Sequence, residues 1–194
     1  MPHDHAIDIA GARITTARLR LRPWTDDDAE SGLEVFGSAE VTRWLAPALE
    51  SVPDADAMRD LIRTWAREES GTGRPTGRWA IERRDTGEVV GAAATVRPLP
   101  PEDDDLEVGW QLTPAVWGQG YAAEAGHALA HYAFSHGEDE LFAVVRPRNT
   151  RGVATARRVG MEWVGETDKY YDLRLQVFRL RKGDLDVPAP RRGQ

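Results

Sequence analysis

The chain has 194 residues, of which 41% are apolar, and this is enough for one α/β or α+β domain with a sizeable core. A formal net charge of -7 argues against a nucleic-acid binder held by phosphate contacts, and the lack of cysteine excludes disulfides, a thiol nucleophile and cysteine-ligated metal. The apolar runs are too short to span a membrane and the first residues do not resemble a signal peptide, so we expect a cytoplasmic protein that binds no membrane.

The first part of the chain predicts one strand followed by helices. Residues 1–12 are expected to form a flexible N-terminal arm. Leucine alternates with arginine over residues 14–24, a pattern typical of a half-buried strand. Thr25 and the acidic residues after it mark a helix start, because a hydroxyl caps free N–H groups and carboxylates favour the positive end of the helix dipole. Helices are predicted over residues 25–36, 40–45 and 54–69.

The rest of the chain predicts a sheet interrupted by helices. In the strand expected over residues 106–112, side chains alternate, so Glu107, Gly109 and Gln111 share one face. The order of elements predicts an α+β fold with a mixed sheet of about six to seven strands, in one domain over residues 13–183, followed by a flexible tail over 184–194. The other strands are expected over residues 77–84, 88–96, 141–146, 161–166 and 173–181, and the helices over 121–136 and 150–159.

A glycine turn, Gly118-Gln119-Gly120, connects the strand over 106–112 to the next helix. The start of a helix presents unpaired N–H groups and the positive end of its dipole, so it can hold a phosphate. Glycines on both sides of Gln119 would let that backbone approach an anion closely. The turn is also compatible with an ordinary tight connection, and it matches neither a P-loop nor a dinucleotide fingerprint. The residues alone therefore predict an anion site of unknown ligand.

The segment around this turn, EVGWQLTPAVWGQGYAAEA, resembles the central strand, loop and helix of the GNAT acetyltransferase superfamily. Within it, the similarity is to the branch of ribosomal-protein N-terminal acetyltransferases. The acyl-CoA loop of the family, Gln/Arg-x-x-Gly-x-Gly/Ala, aligns with residues 117–122. Trp117 departs at the first position, whereas Gly120 and Ala122 keep the pattern.

A second block, RPRNTRGVATARRVGMEWVGE, is similar to the Asn-x-x-Ser and Lys-x-Gly-Phe segment of the same family. It aligns Asn149, Arg158, Gly160 and Met161 with the family pattern. Together with its first strand, hairpin and last strand, the resemblance covers roughly residues 14–182 in the right order. It implies a GNAT-like fold whose sheet is splayed at its centre.

The resemblance implies a site for acetyl-CoA and no metal. Backbone N–H groups of residues 119–123 would bind the pyrophosphate, and the pantetheine arm would pair with the free edge of the splayed strand. Arg148, Arg151 and Arg157 are further candidates for phosphate contacts, although each is also compatible with a solvated helix face. The implied binding residues are Gln111, Leu112, Thr113, Trp117, Gly118, Gln119, Gly120, Tyr121, Ala122, Ala123, Asn149 and Arg158.

The implied reaction moves an acetyl group directly from acetyl-CoA to a primary amine, either a protein N-terminus or a small molecule. Such an amine must lose a proton, and Glu107 is the candidate general base, acting through a water. The family acid is a serine or tyrosine, and those positions hold Gly152 and Ala156 here. Thr155, Tyr170, Tyr171 or water remain as candidates, so the general acid is unknown.

Two other functions stay open at this point. The missing serine and tyrosine are compatible with a non-catalytic acyl-CoA-binding module of the same fold, and a phosphate- or nucleotide-binding domain unrelated to CoA is a more distant alternative. The protein could be a monomer or a homodimer. His127 and His131 share a helix face, but the other ligands of a zinc motif are missing, so a packed or surface histidine pair is expected. Trp44, Trp65, Trp79 and Trp117 are expected in the core, with one or two lining an acceptor pocket.

Overall fold

The computed structural model describes residues 7–45, 49–69, 75–97, 105–170 and 172–185. Within these residues, nine strands form one sheet in the order β1-β2-β3-β4-β5-β6-β7-β9-β8. The strands are β1 (Asp8–Ala10), β2 (Arg13–Thr15), β3 (Leu19–Pro23), β4 (Gly77–Arg83), β5 (Val89–Val96), β6 (Glu107–Leu112), β7 (Glu140–Val145), β8 (Glu162–Thr167) and β9 (Leu175–Arg181). The helices are α1 (Ala29–Phe36), α2 (Ala39–Thr42), α3 (Ala55–Glu69), α4 (Tyr121–Ser135) and α5 (Thr150–Val159).

The sheet opens at its centre, between β6 and β7. Every other pair of neighbouring strands is antiparallel, whereas β6 and β7 run parallel and share the single register pair Glu107 and Phe142. The predicted α+β fold with a mixed, centrally splayed sheet is confirmed. The expected number of six to seven strands is too low, because β1 and β2 have three residues each and are too short to show a periodicity.

The N-terminal segment differs from its prediction. The single strand expected over residues 14–24 is a hairpin of β2 and β3, since Thr16 closes a turn in which its N–H donates to the Leu19 carbonyl at 2.9 Å. Its hydroxyl oxygen also accepts the Leu19 N–H at 3.0 Å. The expected flexible arm is wrong for residues 8–10, which pair with β2 after a turn at Gly11, where φ is +61°. Residues 1–6 of that arm, and residues 186–194 of the expected tail, lie outside the described residues.

Each face of the sheet carries its own helices. Helices α4 and α5 cover the face of Trp79, Val108 and Leu112, and all of these belong to one buried cluster. Helices α1 and α3 cover the opposite face, where Ala80 and Ala92 are buried with Trp24, Phe36 and Trp65. Ala92 lies directly opposite Gln111, so Glu107, Gly109 and Gln111 face the side of α1–α3, as predicted from the alternation along the strand.

A buried ion-pair network joins α1 to the sheet. Both Asp28 oxygens accept from the Arg22 guanidinium at 2.8 Å, and the Thr25 N–H and hydroxyl donate to Oδ2 at 2.8 and 2.9 Å. Arg22 also donates from Nε to Glu82 at 2.7 Å. Burial raises the pKa of the Asp28 carboxyl, but the hydrogen bonds from Arg22 and Thr25 outweigh it, so the net pKa lies below its ordinary value.

Substitution of Asp28→Asn is expected to lower the free energy of unfolding at pH 7 by about 2 kcal/mol, because the partly buried Arg22 guanidinium loses one of its two carboxylate partners and keeps only Glu82. A carboxyl whose pKa is lower in the folded than in the unfolded state stabilises the fold above its unfolded pKa, and this is lost as the pH falls through its folded pKa. The difference in the free energy of unfolding between the wild type and Asp28→Asn should therefore shrink below about pH 4. Urea unfolding of both proteins between pH 7 and pH 3 measures this difference. Asp26→Asn, which removes an exposed pair with Arg63, is the control and should change little. A difference that stays constant with pH would contradict this account.

Candidate functional site

A cavity of about 660 Å³ lies along the opening between β6 and β7. Its wall continues from the start of α4 and of α5, past the β6 face of Glu107, Gly109 and Gln111, to aromatic side chains from the α1–α3 side. Most of the residues predicted to bind acetyl-CoA line it. These are Gln111, Leu112, Trp117, Gly118, Gly120, Tyr121, Ala122, Ala123, Asn149 and Arg158. Thr113 and Gln119 are the predicted residues that do not: Thr113 is buried and donates its N–H to the Val90 carbonyl, and Gln119 is exposed.

The glycine turn has the geometry that only glycine adopts without strain. Gly118 and Gly120 have φ of +82° and +83°, in the left-handed region. Gly120 is the N-cap of α4, and because glycine has no side chain, the first turn of the helix has no side-chain cap. A Cβ at position 118 would meet no atom within 4 Å. The turn thus exposes backbone N–H groups at the positive end of a 15-residue helix, which suits an anion.

Arg18 clamps this turn from the start of β3. It donates from Nη1 to the Gln119 carbonyl at 2.9 Å and from Nε to Glu124 at 2.7 Å, and it stacks on the Tyr121 ring at 4.7 Å. Glu124 also accepts from the Thr16 hydroxyl at 2.6 Å. Sequence reasoning missed this clamp. Its two ends are 106 residues apart, and no local pattern connects them.

β6 pairs with β7 only at the beginning of β6. The Phe142 N–H donates to the Leu106 carbonyl at 2.9 Å. Backbone groups alternate along a strand, so those of Trp110 and Leu112 point to the same edge as Leu106, where β7 has moved away. The Leu112 carbonyl accepts from the Trp117 indole at 2.9 Å. Trp110, which the sequence analysis did not include among the binding residues, also lines the cavity.

The start of α5 forms another part of the wall. Asn149 caps the helix by accepting the Gly152 N–H at 3.0 Å. A Cβ at position 152 would come within 2.9 Å of both the Asn149 amide and Val145, so a serine there would force a shift. Glycine, which departs from the family pattern at this position, avoids that clash. Arg151 and Arg158 line the cavity, with the Arg151 guanidinium 4.3 Å from the Trp117 ring, whereas Arg148 and Arg157 are exposed elsewhere.

The candidates for a general acid differ in position. The Tyr170 hydroxyl donates to Asp105 at 2.6 Å, and its side chain is buried. Thr155 lines the cavity from α5. Tyr171 lies outside the described residues. Among these candidates, Thr155 is the side chain that the structure brings to the cavity wall.

The remaining sequence features have structural roles. His127 and His131 lie edge to face with ring centroids 4.8 Å apart. In the described part of the chain, no three histidine, aspartate or glutamate side chains are grouped as a metal site requires. The same residues include no helix of the length and apolarity that a membrane crossing demands. Trp79 is in the core, while Trp44, Trp65 and Trp117 line the cavity.

Comparison with known proteins identifies the family. A family model described as an acetyltransferase (GNAT) domain matches residues 18–162. An uncharacterized N-acetyltransferase from Bacillus subtilis (strain 168), YoaA, is 32% identical over 161 residues, which is 81% of this chain and 86% of that protein. An acetyltransferase structure from Agrobacterium tumefaciens str. C58 superposes with a TM-score of 0.72 at 26% identity, covering 91% of this chain and 98% of the other.

A further solved structure shows the fold alone. Mycobacterium smegmatis RimJ in complex with CoA-disulfide has a TM-score of 0.72 at 19% identity, covering 87% of this chain and 84% of that one. The resemblance of the sequence to the GNAT superfamily is thus confirmed by the family model, by the relative and by the fold. The chain belongs to the GNAT acetyltransferase family and is an acetyl-CoA-dependent acetyltransferase.

Proposed function

We propose that this protein transfers the acetyl group of acetyl-CoA directly to a primary amine while both substrates are bound. The observation that supports this best is the single cavity, which reaches from the glycine turn to the β6 face of Glu107 and the aromatic side chains beyond it. In this proposal, donor and acceptor would occupy adjoining parts of that cavity. The 194 residues include no cysteine that could carry the acetyl group as a thioester between two half-reactions.

The donor half of the proposal uses the start of α4 and of α5. Backbone N–H groups of residues 119–123 would bind the pyrophosphate, at a helix start that no side chain caps. Arg158 and Arg151 would contact phosphates, because a guanidinium offers a fixed fork of donors. The backbone of β6 at Trp110 and Leu112 would pair with the pantetheine arm, and an N–H there would polarise the thioester carbonyl. Asn149 would lie beside the same arm.

The acceptor half uses Glu107. A lysine-like amine with a pKa of ~10.4 is only about one part in 2,000 neutral at pH 7, so a base that takes its proton increases the reactive fraction. Glu107 would take this proton through a water. The amine nitrogen then forms a bond to the acetyl carbonyl carbon, the carbon–sulfur bond breaks, and the sulfur leaves with the electron pair. Thr155 or water would protonate the sulfur, which needs little help because a thiol pKa is ~8.5.

Initial-rate kinetics with both substrates varied test direct transfer. Intersecting double-reciprocal lines, with no acetylated protein detected by intact mass after incubation with acetyl-CoA alone, are expected. Parallel lines together with a stable acetyl-protein would overturn direct transfer. Binding of acetyl-CoA without turnover of any primary amine would overturn the proposal itself and favour a binding module.

The clamp at the glycine turn makes a further prediction. Glu124→Gln is expected to raise the dissociation constant of acetyl-CoA about tenfold, a change of about 1.4 kcal/mol, because the Arg18 side chain loses its charged partner and no longer fixes the turn. Isothermal titration calorimetry measures the constant. In steady state, KM for acetyl-CoA should rise more than kcat falls.

Asp56→Asn is the matched control for this variant, since it removes an exposed ion pair with Arg59 on α3, away from the cavity. It should leave the dissociation constant unchanged. If Glu124→Gln lowers the melting temperature but binds acetyl-CoA as the wild type does, Glu124 only stabilises the fold.

A further inference from the structure

The cavity continues beyond Glu107 into a chamber formed by Trp24, Phe36, Trp44, Leu45 and Trp65, here named the aromatic chamber. Trp24, Phe36 and Trp65 are 9%, 3% and 8% exposed and contact one another with ring centroids 5.5–6.4 Å apart, so they form a rigid floor. Trp44 and Leu45 are only partly buried and form its outer wall.

Among the described residues, few polar groups lie at this chamber. Arg78 lines it, but its guanidinium is paired with Glu68 and Glu69 at 3.2 and 3.5 Å and lies 5.6 Å from the Trp65 ring. The Trp24 indole N–H is buried and has no hydrogen-bond partner. This nitrogen has almost no exposed surface, so it offers no donor to a molecule in the chamber.

From these observations we infer that the acceptor is a small arylalkylamine, with its ring in the aromatic chamber and its amine at Glu107. This inference rests on the proposed function, since it names the amine that the same site would acetylate. The ammonium form of the amine is attracted to the Glu107 carboxylate, and the ring displaces water from the apolar walls of the aromatic chamber. A peptide chain leaving the site would place its backbone groups against a mostly aromatic wall that offers few hydrogen bonds, which is unfavourable.

The first test compares amines of matched reactivity at fixed acetyl-CoA concentration, with the full-length protein. Phenethylamine and tryptamine should have kcat/KM at least about 50-fold above ethanolamine, the gain expected from burying a ring in an apolar site. Peptides that begin with serine or alanine should be poor substrates. Equal rates for aromatic and polar amines, or a preference for the peptides, would overturn the arylalkylamine assignment while leaving amine acetylation intact. No turnover of any amine would instead overturn the proposed function.

The second test uses Trp44→Ala, chosen because this side chain is partly exposed and its loss leaves the floor of the chamber in place. It should lower kcat/KM for tryptamine at least about tenfold more than it lowers kcat/KM for ethanolamine. Trp163→Ala is the matched control, since Trp163 is 55% exposed on β8 and does not line the cavity. Equal losses for both amines in Trp44→Ala would show that the chamber does not select the ring.

Discussion

Glu107→Gln is expected to lower kcat about 100-fold or more at pH 7 without changing the affinity for acetyl-CoA. A positioned general base contributes about 10²–10⁴ in rate, and glutamine has the size of glutamate but cannot accept the proton. The residue lies at the single register pair between β6 and β7, on the strand face that lines the cavity. The substitution therefore changes the chemistry at the junction of the donor and acceptor halves and leaves the shape of the wall intact.

The pH profile separates a base from a structural residue. In the wild type, kcat/KM should fall at low pH as Glu107 is protonated, and the variant should lose that limb. A larger fraction of an amine of lower pKa is already neutral. Its kcat/KM should therefore fall less in Glu107→Gln than the kcat/KM of lysine-like amines. Glu162→Gln, on β8 and outside the cavity, is the control and should keep full activity. An unchanged pH profile in Glu107→Gln would assign the proton transfer to another group.

Local patterns explain why the central elements could be predicted within one or two residues. The alternation over residues 106–112 placed Glu107 on its correct face, and α5 begins and ends where its prediction did. The N-terminal hairpin could not be found in this way. Its turn depends on Thr16 bonding to Leu19 and to Glu124, and the second of these contacts joins residues 108 positions apart.

The two halves of the site also differ in whether a local sequence pattern reveals them. The donor half comes from two continuous segments, one around Gly118–Gly120 and one around Asn149, so its pattern is visible in the sequence. The aromatic chamber is assembled from α1, α3 and the segments that follow β3 and α2, and its tryptophans are equally compatible with ordinary core packing. Only the three-dimensional arrangement shows that Trp44 and Trp65 share a cavity with Glu107.

Gly120→Ala is expected to raise the dissociation constant of acetyl-CoA by at least about tenfold, a loss of about 1.4 kcal/mol. Its φ of +83° is strained for any residue with a Cβ, and this should also cost about 1 kcal/mol of folding stability. The added methyl group would lie at the uncapped helix start, where the pyrophosphate must approach the backbone. It would also come within 3.4 Å of the Arg18 guanidinium, which holds the turn.

Gly87→Ala separates the strain from the binding effect. Gly87 has φ of +73° in the turn between β4 and β5, a Cβ there meets no atom within 4 Å, and the residue does not line the cavity. The melting temperatures of both variants should fall by similar amounts. Only Gly120→Ala should bind acetyl-CoA more weakly, as calorimetry with acetyl-CoA would measure. If both bind acetyl-CoA as the wild type does, the turn is an ordinary connection between β6 and α4. Gly118→Ala, with the same backbone geometry and an open surrounding, tests whether the first glycine of the turn is needed as well.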